Sequence, residues 1–368
     1  MTITIEPFIG SVFSHQSQAL FPKVPHEPLT SPFFRTAFTP SAGPTLLIDE
    51  INSKSHRYPD LCHVCQPCVR YWDLPNVGDK THLSFFEMVA CSSFLPNGRW
   101  TTMEHIFKFL TTTCSIPPDR FWATRFGGGN VLGCGPFPED TVAIDILHHL
   151  DIPDSRIVDV AGVEGFVANS MEPIGGYRCE LYVDLGTQNL TCNQCLPGLC
   201  TCGRFLELVT SVAYEFEVLN RDSLYSISPL PKQFMHATGF GVERLESILE
   251  GSGIIHHTPR FRHLMPFVNQ IISGFSLTYP DQIRLVDTLC ALLFLHADGA
   301  TTLSGKSNRS RRWVLNKWIK QARSFHSRGV SILPLLDEIK RWYSPRYAHI
   351  QDADTSLLLQ LVHAQQYN

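Results

Sequence analysis

A chain of 368 residues has room for one large domain with a smaller one, or for two of medium size. Its apolar fraction of 43% and charged fraction of 17% are those of an ordinary globular protein and exclude a disordered one. A net charge near −4 excludes a general polycation, so any nucleic-acid contact must come from a local patch.

The N-terminus, MTITIEPFIG, carries neither a basic n-region nor a small-residue cleavage site, so secretion is not expected. Twelve cysteines in such a chain read as reduced cytoplasmic thiols or a metal site rather than a disulfide framework. The first 43 residues are rich in Pro, Phe and Ser and read as loop with one short helix. A strand is expected at residues 44–48 (PTLLI), and another, buried on both faces, at residues 83–90 (LSFFEMVA). Helices are predicted over residues 102–112 and 140–150, and strands over 156–160, 179–184 and 205–216. A turn holding Gly239 and Gly241 then leads into a helix whose apolar face is Val242, Leu245, Ile248 and Leu249. Beyond residue 260 the periodicity is helical. The longest apolar run there, residues 289–297, is about half the length of a membrane span. This order predicts an α+β domain over residues 1–252 followed by a helical domain over 253–368.

Three separated blocks carry more specific information. The first, within residues 66–88, reads Q-P-C-V-R, then D-L-P-N-V-G, then H-L-S-F-F-E-M. The second, within residues 229–245, reads P-L-P-K and then T-G-F-G-V-E-R-L. The third, within residues 297–315, reads A-D-G-A and then N-R-S-R-R-W-V-L. In this order they resemble motif 2, motif 3 and the helical-domain signature of the alanyl-tRNA synthetases. The segments P-T-L-L and R-F-L-E-L are weaker echoes of the same family, and the likeness covers roughly residues 44–330. The editing and C-terminal domains of that family have no counterpart in the sequence, which therefore resembles a stand-alone catalytic core.

The resemblance implies a class II aminoacyl-tRNA synthetase fold: an antiparallel sheet flanked by helices, then a helical tRNA-recognition domain. It also implies an ATP-dependent ligase in which a carboxylate attacks the α-phosphate, giving an acyl-adenylate and pyrophosphate. That reaction builds negative charge on phosphorus, which a fixed guanidinium stabilises. Arg70 matches the motif 2 arginine and Arg244 the motif 3 arginine. His82, Phe86, Glu87 and Met88 match the strand lining the adenine pocket, and Gly239 and Gly241 would let the nucleotide approach the backbone. Glu207 and Glu180 match acidic strand positions that would hold Mg²⁺, with an ordinary pairing to a nearby basic residue as the alternative.

The departures from the pattern concern the acid. The aspartate that binds the substrate amino group in the family is Ala237 here, in His236-Ala237-Thr238-Gly239, and the tryptophan beside the alanine pocket is Val167. With Val212 and Glu180 these residues would shape the acid pocket. An ammonium without a carboxylate partner in a closed pocket is poorly held, so an acid other than alanine is expected. The motif 2 loop is also shortened, with Tyr71 and Trp72 in place of a longer stretch.

Two further features stand outside the catalytic motifs. Eight basic residues between positions 303 and 336, with no acid among them, form a local patch: Lys306, Arg309, Arg311, Arg312, Lys317, Lys320, Arg323 and Arg328. They would suit a tRNA acceptor stem, or form a solvated helix face. Cys192-x2-Cys195-x4-Cys200-x-Cys202 offers four thiolates to zinc, against an irregular spacing and no such site in the family core. Cys62-x2-Cys65-x2-Cys68 is also suggestive, whereas His148-His149 and His256-His257 read as solvent-facing pairs. Two classes of function are left open. One is a cytoplasmic enzyme of specialised biosynthesis, passing an activated acid to tRNA, a carrier-protein thiol or a small-molecule amine. The other is a catalytically degenerate relative acting as a tRNA-binding or partner subunit.

Overall fold

The computed structural model describes residues 9–23, 59–168, 174–186, 192, 195–222, 224–230, 235–272, 277–302 and 309–364. The strand expected at 44–48, and Lys306 of the basic patch, lie outside them. The chain divides into two compact units. One takes the described residues of Met1–Glu27, Phe38–Gln66 and Met88–Gly251, and the other those of Pro67–Glu87 and Ser252–Asn368.

The first unit is built on a nine-stranded sheet whose main path runs β1 (Leu61–Val69), β2 (Phe85–Ser93), β11 (Met235–Gly241), β9 (Phe205–Arg221), β8 (Ile174–Asp184), β3 (Phe121–Phe126), β6 (Ile157–Val160). β7 (Phe166–Val167) adds to β8, and β10 (Leu224–Pro229) to β9. A separate two-stranded ribbon joins β4 (Gly129–Val131) to β5 (Cys134–Phe137). The sheet is mixed rather than wholly antiparallel: β3 and β6 run parallel, because α3 (Thr141–His149) makes the crossover between them. Asp140 starts that helix by accepting from the Ala143 amide at 3.1 Å.

β9 is longer than its sequence pattern suggests, since its valines, aromatics and threonine pair with β8 along one edge and with β11 and β10 along the other. Gly239 and Gly241 belong to β11, not to a turn; Gly241 has φ −78°, which any residue adopts, and caps α4 (Val242–Leu249). Helices α1 (Ile9–Ser17), α2 (Gly98–Lys108), α3 and α4 supply Phe13, Met103, Ile106, Ile146 and Leu245 to one core. Val89, Cys91, Cys179, Leu181, Val209 and Phe240 of the sheet fill the same core.

The second unit is helical: α5 (Pro259–Ile271), α6 (Tyr279–Ala297), α7 (Arg309–Ser327), α8 (Leu333–Tyr343), α9 (Ala348–Gln351) and α10 (Thr355–His363). α6 is buried for most of its length, from Leu285 to Leu295. The buried Asp287 on this helix accepts from the amides of Ser84 and Phe85 at 3.0–3.1 Å and from the Ser84 hydroxyl. Trp318 of α7 donates its indole N–H to the same Ser84 oxygen at 2.8 Å. Among the described residues, no helix is long and apolar enough to cross a membrane.

Candidate active site

Side chains alternate across a strand, and residues opposite one another in a ladder share a face. The register therefore sorts the expected site residues. Ala237 stands opposite Ser92 and Val212, Gly239 opposite Ala90 and Thr210, and Gly241 opposite Met88. Across the next ladder Val212 meets Arg178, Thr210 meets Glu180, and Glu207 meets Tyr182. One face thus carries a buried floor of small residues, Ala237, Gly239 and Ala90, bordered by Arg178, Glu180, Tyr182 and Glu207. A Cβ added at Gly241 would meet nothing nearer than the Arg244 side chain at 3.8 Å, so Arg244 borders the same face.

His236 falls on the opposite face, with Thr238 and Phe240, under α2. It is buried beside Arg99, and burial followed by the Arg99 charge pushes its pKa down to about 4. The two-residue period puts Ala237 and Gly239 on one side of the sheet and His236, expected with them in the acid pocket, on the other. Arg99 itself makes a buried ion pair with Asp140 at 2.7 Å that no sequence motif announces.

The charged border is a single network. Arg244 Nη1 contacts the Glu207 carboxylate at 3.1 Å, and Thr210 Oγ1 donates to Glu207 Oε1 at 3.1 Å. Tyr182 Oη donates to Glu180 at 2.8 Å, and Arg178 Nε approaches the other oxygen of that carboxylate at 3.4 Å. Burial, then the Glu207 charge, raises Glu180 to about 7, although Arg178, the Tyr182 hydroxyl and Arg244 act against the rise. The Arg244 guanidinium is in turn held above its usual value, chiefly by Glu207. No family motif marks Arg178 or Tyr182. Their signal was the pattern R-x-E-x-Y at alternate positions of one strand, which puts three polar groups on the face that holds Glu180.

Val167, expected in the acid pocket, pairs with Gly176 at the start of β8. Gly175 and Gly176 are needed there for backbone contact, since an added Cβ would lie 2.0 Å from the Val167 carbonyl oxygen and 1.7 Å from that of Ala213.

In the second unit, Arg70 leaves β1 at the start of a single 3₁₀ turn, Tyr71–Asp73, with its guanidinium 4.7 Å from the centre of the Phe86 ring. Its amide donates to the Ser84 carbonyl at 2.9 Å, the same residue whose amide Asp287 holds. His82 pairs through Nδ1 with Asp79 at 2.5 Å. The Glu87 carboxylate accepts from Tyr347 at 2.6 Å and from Arg346 at 3.0 Å. That gives Glu87 a bracing role within the helical unit.

α7 carries the basic patch. Arg309 and Lys320 are exposed, and Arg311, Arg312 and Lys317 half-buried. Lys317 stacks 4.0 Å from the exposed Trp313 ring, which packs edge-on against Tyr71, itself edge-on to the exposed Trp72. Arg323 is occupied otherwise, donating to the carbonyls of Leu361, Val362 and Ala364 at the end of α10. The histidine pairs carry no metal geometry: His148 and His149 are exposed, and His256 packs against Tyr279. Among the described residues, Cys192, Cys195, Cys200 and Cys202 are the one group of three or more His, Cys, Asp or Glu side chains placed to share a metal ion.

Comparison with known proteins agrees with this reading of the elements. The family model for class II (A) tRNA synthetases matches residues 44–359. The alanine–tRNA ligase of Borrelia hermsii is 25% identical over 325 residues, covering 85% of this chain and 52% of the relative. That of Carboxydothermus hydrogenoformans is 29% identical over 268 residues, covering 71% of this chain and 28% of the relative. The chain thus spans about half or less of these curated relatives. An apo histidyl-tRNA synthetase from S. aureus aligns over 69% of this chain and 68% of its own, at 13% identity and a TM-score of 0.32. At that score it adds nothing to what the family match and the sheet establish.

Proposed function

Because the chain belongs to the class II (A) tRNA synthetase family, we propose that it is an ATP-dependent, AMP-forming ligase that activates an amino or carboxylic acid other than alanine and transfers it to tRNA. The observation that carries this reading is the Arg244–Glu207–Glu180 network beside a floor made of Ala237, Gly239 and Ala90. Adenylation needs a fixed positive group for the α-phosphate and a surface flat enough for a nucleotide to lie on. Arg244 supplies the first and the small side chains the second.

Glu180 and Glu207 suit Mg²⁺ as a donor pair: each raises the cost of ionising the other, and a dication removes that repulsion. Bound there, Mg²⁺ would neutralise phosphate charge. The remaining work falls to the chain itself: Arg244 orients the phosphates, Thr210 and Tyr182 hold the two carboxylates, and Val167, Val212 and Ala237 select the acid. No carboxylate replaces the family's ammonium-binding aspartate at Ala237, which favours an acid whose recognition does not depend on an α-amino group. The exposed Trp72 and Trp313, edge-on to the half-buried Tyr71 and beside Lys317, favour tRNA over a carrier protein or a small amine as acceptor.

ATP–pyrophosphate exchange across a panel of amino and carboxylic acids tests the proposal, with Arg244→Ala as control. Exchange with one acid, lost in the control, supports the enzyme and names its substrate. ATP binding without exchange for any acid would instead support a degenerate synthetase acting as a tRNA-binding or partner subunit.

A further inference from the structure

Most of the cysteines have an ordinary place. Cys62, Cys68, Cys91, Cys179 and Cys290 are buried, Cys65 donates to the Gly10 carbonyl, Cys114 packs on the sheet core, and Cys134 donates to the Tyr225 carbonyl. The four in the β8–β9 connection differ, because their sulfurs face one another. All four Sγ atoms lie within 4.8 Å of each other, with Cys195 and Cys202 at 3.1 Å and Cys192 and Cys200 at 3.5 Å. They are half-buried, and among the described residues none of them belongs to an apolar cluster.

We propose that Cys192, Cys195, Cys200 and Cys202 form a four-thiolate Zn²⁺ site that fixes the β8–β9 connection against the charged border of the candidate active site. A tetrahedral zinc with Zn–S bonds of about 2.3 Å holds its sulfurs about 3.8 Å apart, which fits inside the observed cluster. An all-sulfur set selects a borderline-soft dication and rejects Mg²⁺ and Ca²⁺, which take oxygen ligands. Binding exchanges four S–H protons for four Zn–S bonds: one Zn²⁺ enters, four protons leave, and no electron is transferred.

The position of the cluster gives the metal a task. Its base is closed by the Leu185 amide on the Arg204 carbonyl at 2.8 Å and by the Arg204–Asp184 ion pair at 2.6 Å. Its tip is a turn in which the amides of Leu199 and Cys200 donate to the Leu196 carbonyl. Gly198 in that turn has φ +73°, and a Cβ there would stand 3.0 Å from Thr124 Cγ2 and 3.5 Å from Tyr182 Oη. The turn therefore rests on the tyrosine whose hydroxyl holds Glu180. A loop with so little apolar burial gains its order from metal–ligand bonds rather than from a core. Zinc is thus a positioning device acting through Gly198 and Tyr182, and not a participant in the chemistry.

The test uses the full chain, purified without chelator, and measures metal content by mass spectrometry, so it does not depend on the adenylation activity. About one zinc per chain is expected, falling to near zero in Cys200→Ser/Cys202→Ser. Cobalt replacement should give the thiolate charge-transfer and visible bands of a tetrahedral site. Should the double variant fail to fold, the wild type decides: a mercurial reagent should release zinc in step with the modification of four thiols, and limited proteolysis within residues 185–204 should then speed up. Zinc-free protein with four titratable thiols after incubation with Zn²⁺ would overturn the proposal, as would finding these cysteines in disulfides.

Discussion

Arg244 Nη1 binds Glu207 twice, at 3.1 Å to its carboxylate and at 3.1 Å to its main-chain carbonyl. The guanidinium is thereby fixed to strand β9 as well as to its own helix, and its orientation is set before any ligand arrives. A lysine has one point charge and cannot reproduce the planar fork. Arg244→Lys should therefore lower the maximal rate of ATP–pyrophosphate exchange by roughly 10²–10³-fold, the usual loss for a transition-state donor. Glu207→Gln should keep the carbonyl contact and lose less. Equal rates for Arg244→Lys and wild type would remove Arg244 from the reaction.

The proton on Glu180 makes stability depend on pH in a stated direction. The folded protein holds that proton up to about 7, whereas the free carboxyl releases it near 4.5. The contribution is thus complete below about 4.5 and is lost as pH rises through 7. The shift caps the effect at roughly 3 kcal/mol, less what relaxation and water recover. Glu180→Gln should flatten the dependence of the melting temperature on pH between 5 and 8, and should stabilise the metal-free protein at pH 8. Tyr182→Phe removes a donor that favours the ionised form and should steepen the same dependence. Thermal melts of the three proteins across that range, with and without Mg²⁺, decide it. Mg²⁺ should reduce the slope in wild type and in Tyr182→Phe, which keep both carboxylates, and not in Glu180→Gln.

Asp287 is fully buried and serves three donors: two amides at the start of β2 and the Ser84 hydroxyl. The same start of β2 anchors the Arg70 amide. Truncation leaves those groups buried without an acceptor, each costing about 1–3 kcal/mol. Asp287→Ala should destabilise the helical unit by about 3–5 kcal/mol, allowing for relaxation. Asp287→Asn keeps one oxygen but turns an NH₂ toward N–H donors, and should recover only part of the loss. Urea unfolding followed by Trp318 fluorescence reports on it, since that indole donates to Ser84.

Motif order made the family legible, and hydrophobic runs located most strands and helices of the sheet unit. What the sequence hid follows from pairing. Glycines 239 and 241 read locally as a turn, yet the buried neighbours β2 and β9 hold them extended. Residues 67–87 read as one piece with the catalytic sheet, but they cluster with the helices because Asp287, Trp318 and Arg260 all meet Ser84 or Phe85. His236 looked like a pocket residue because it is next to Ala237 in sequence, and strand alternation separates them. The Arg99–Asp140 pair joins residues far apart in the chain, so no local pattern could have announced it.

The aromatic face beside the basic helix predicts how an RNA acceptor would be held. Trp313 and Trp72 are exposed, Tyr71 lies edge-on to both, and Lys317 stands over the Trp313 ring. Exposed rings of this size are costly on a surface that binds nothing, and they suit the stacking of unpaired bases such as those at a tRNA 3′ end. Trp313→Ala should weaken binding of a single-stranded 3′-end oligonucleotide by roughly 5- to 100-fold, the range of one lost base stack, without altering its salt dependence. Lys317→Ala should act the other way, lowering the slope of log affinity against log salt by about one while sparing stacking. Fluorescence titrations at several salt concentrations separate the two effects, because Lys317 contributes charge and Trp313 does not. If neither variant differs from wild type, α7 is a solvated face, and the acyl acceptor must be sought among carrier thiols and small amines.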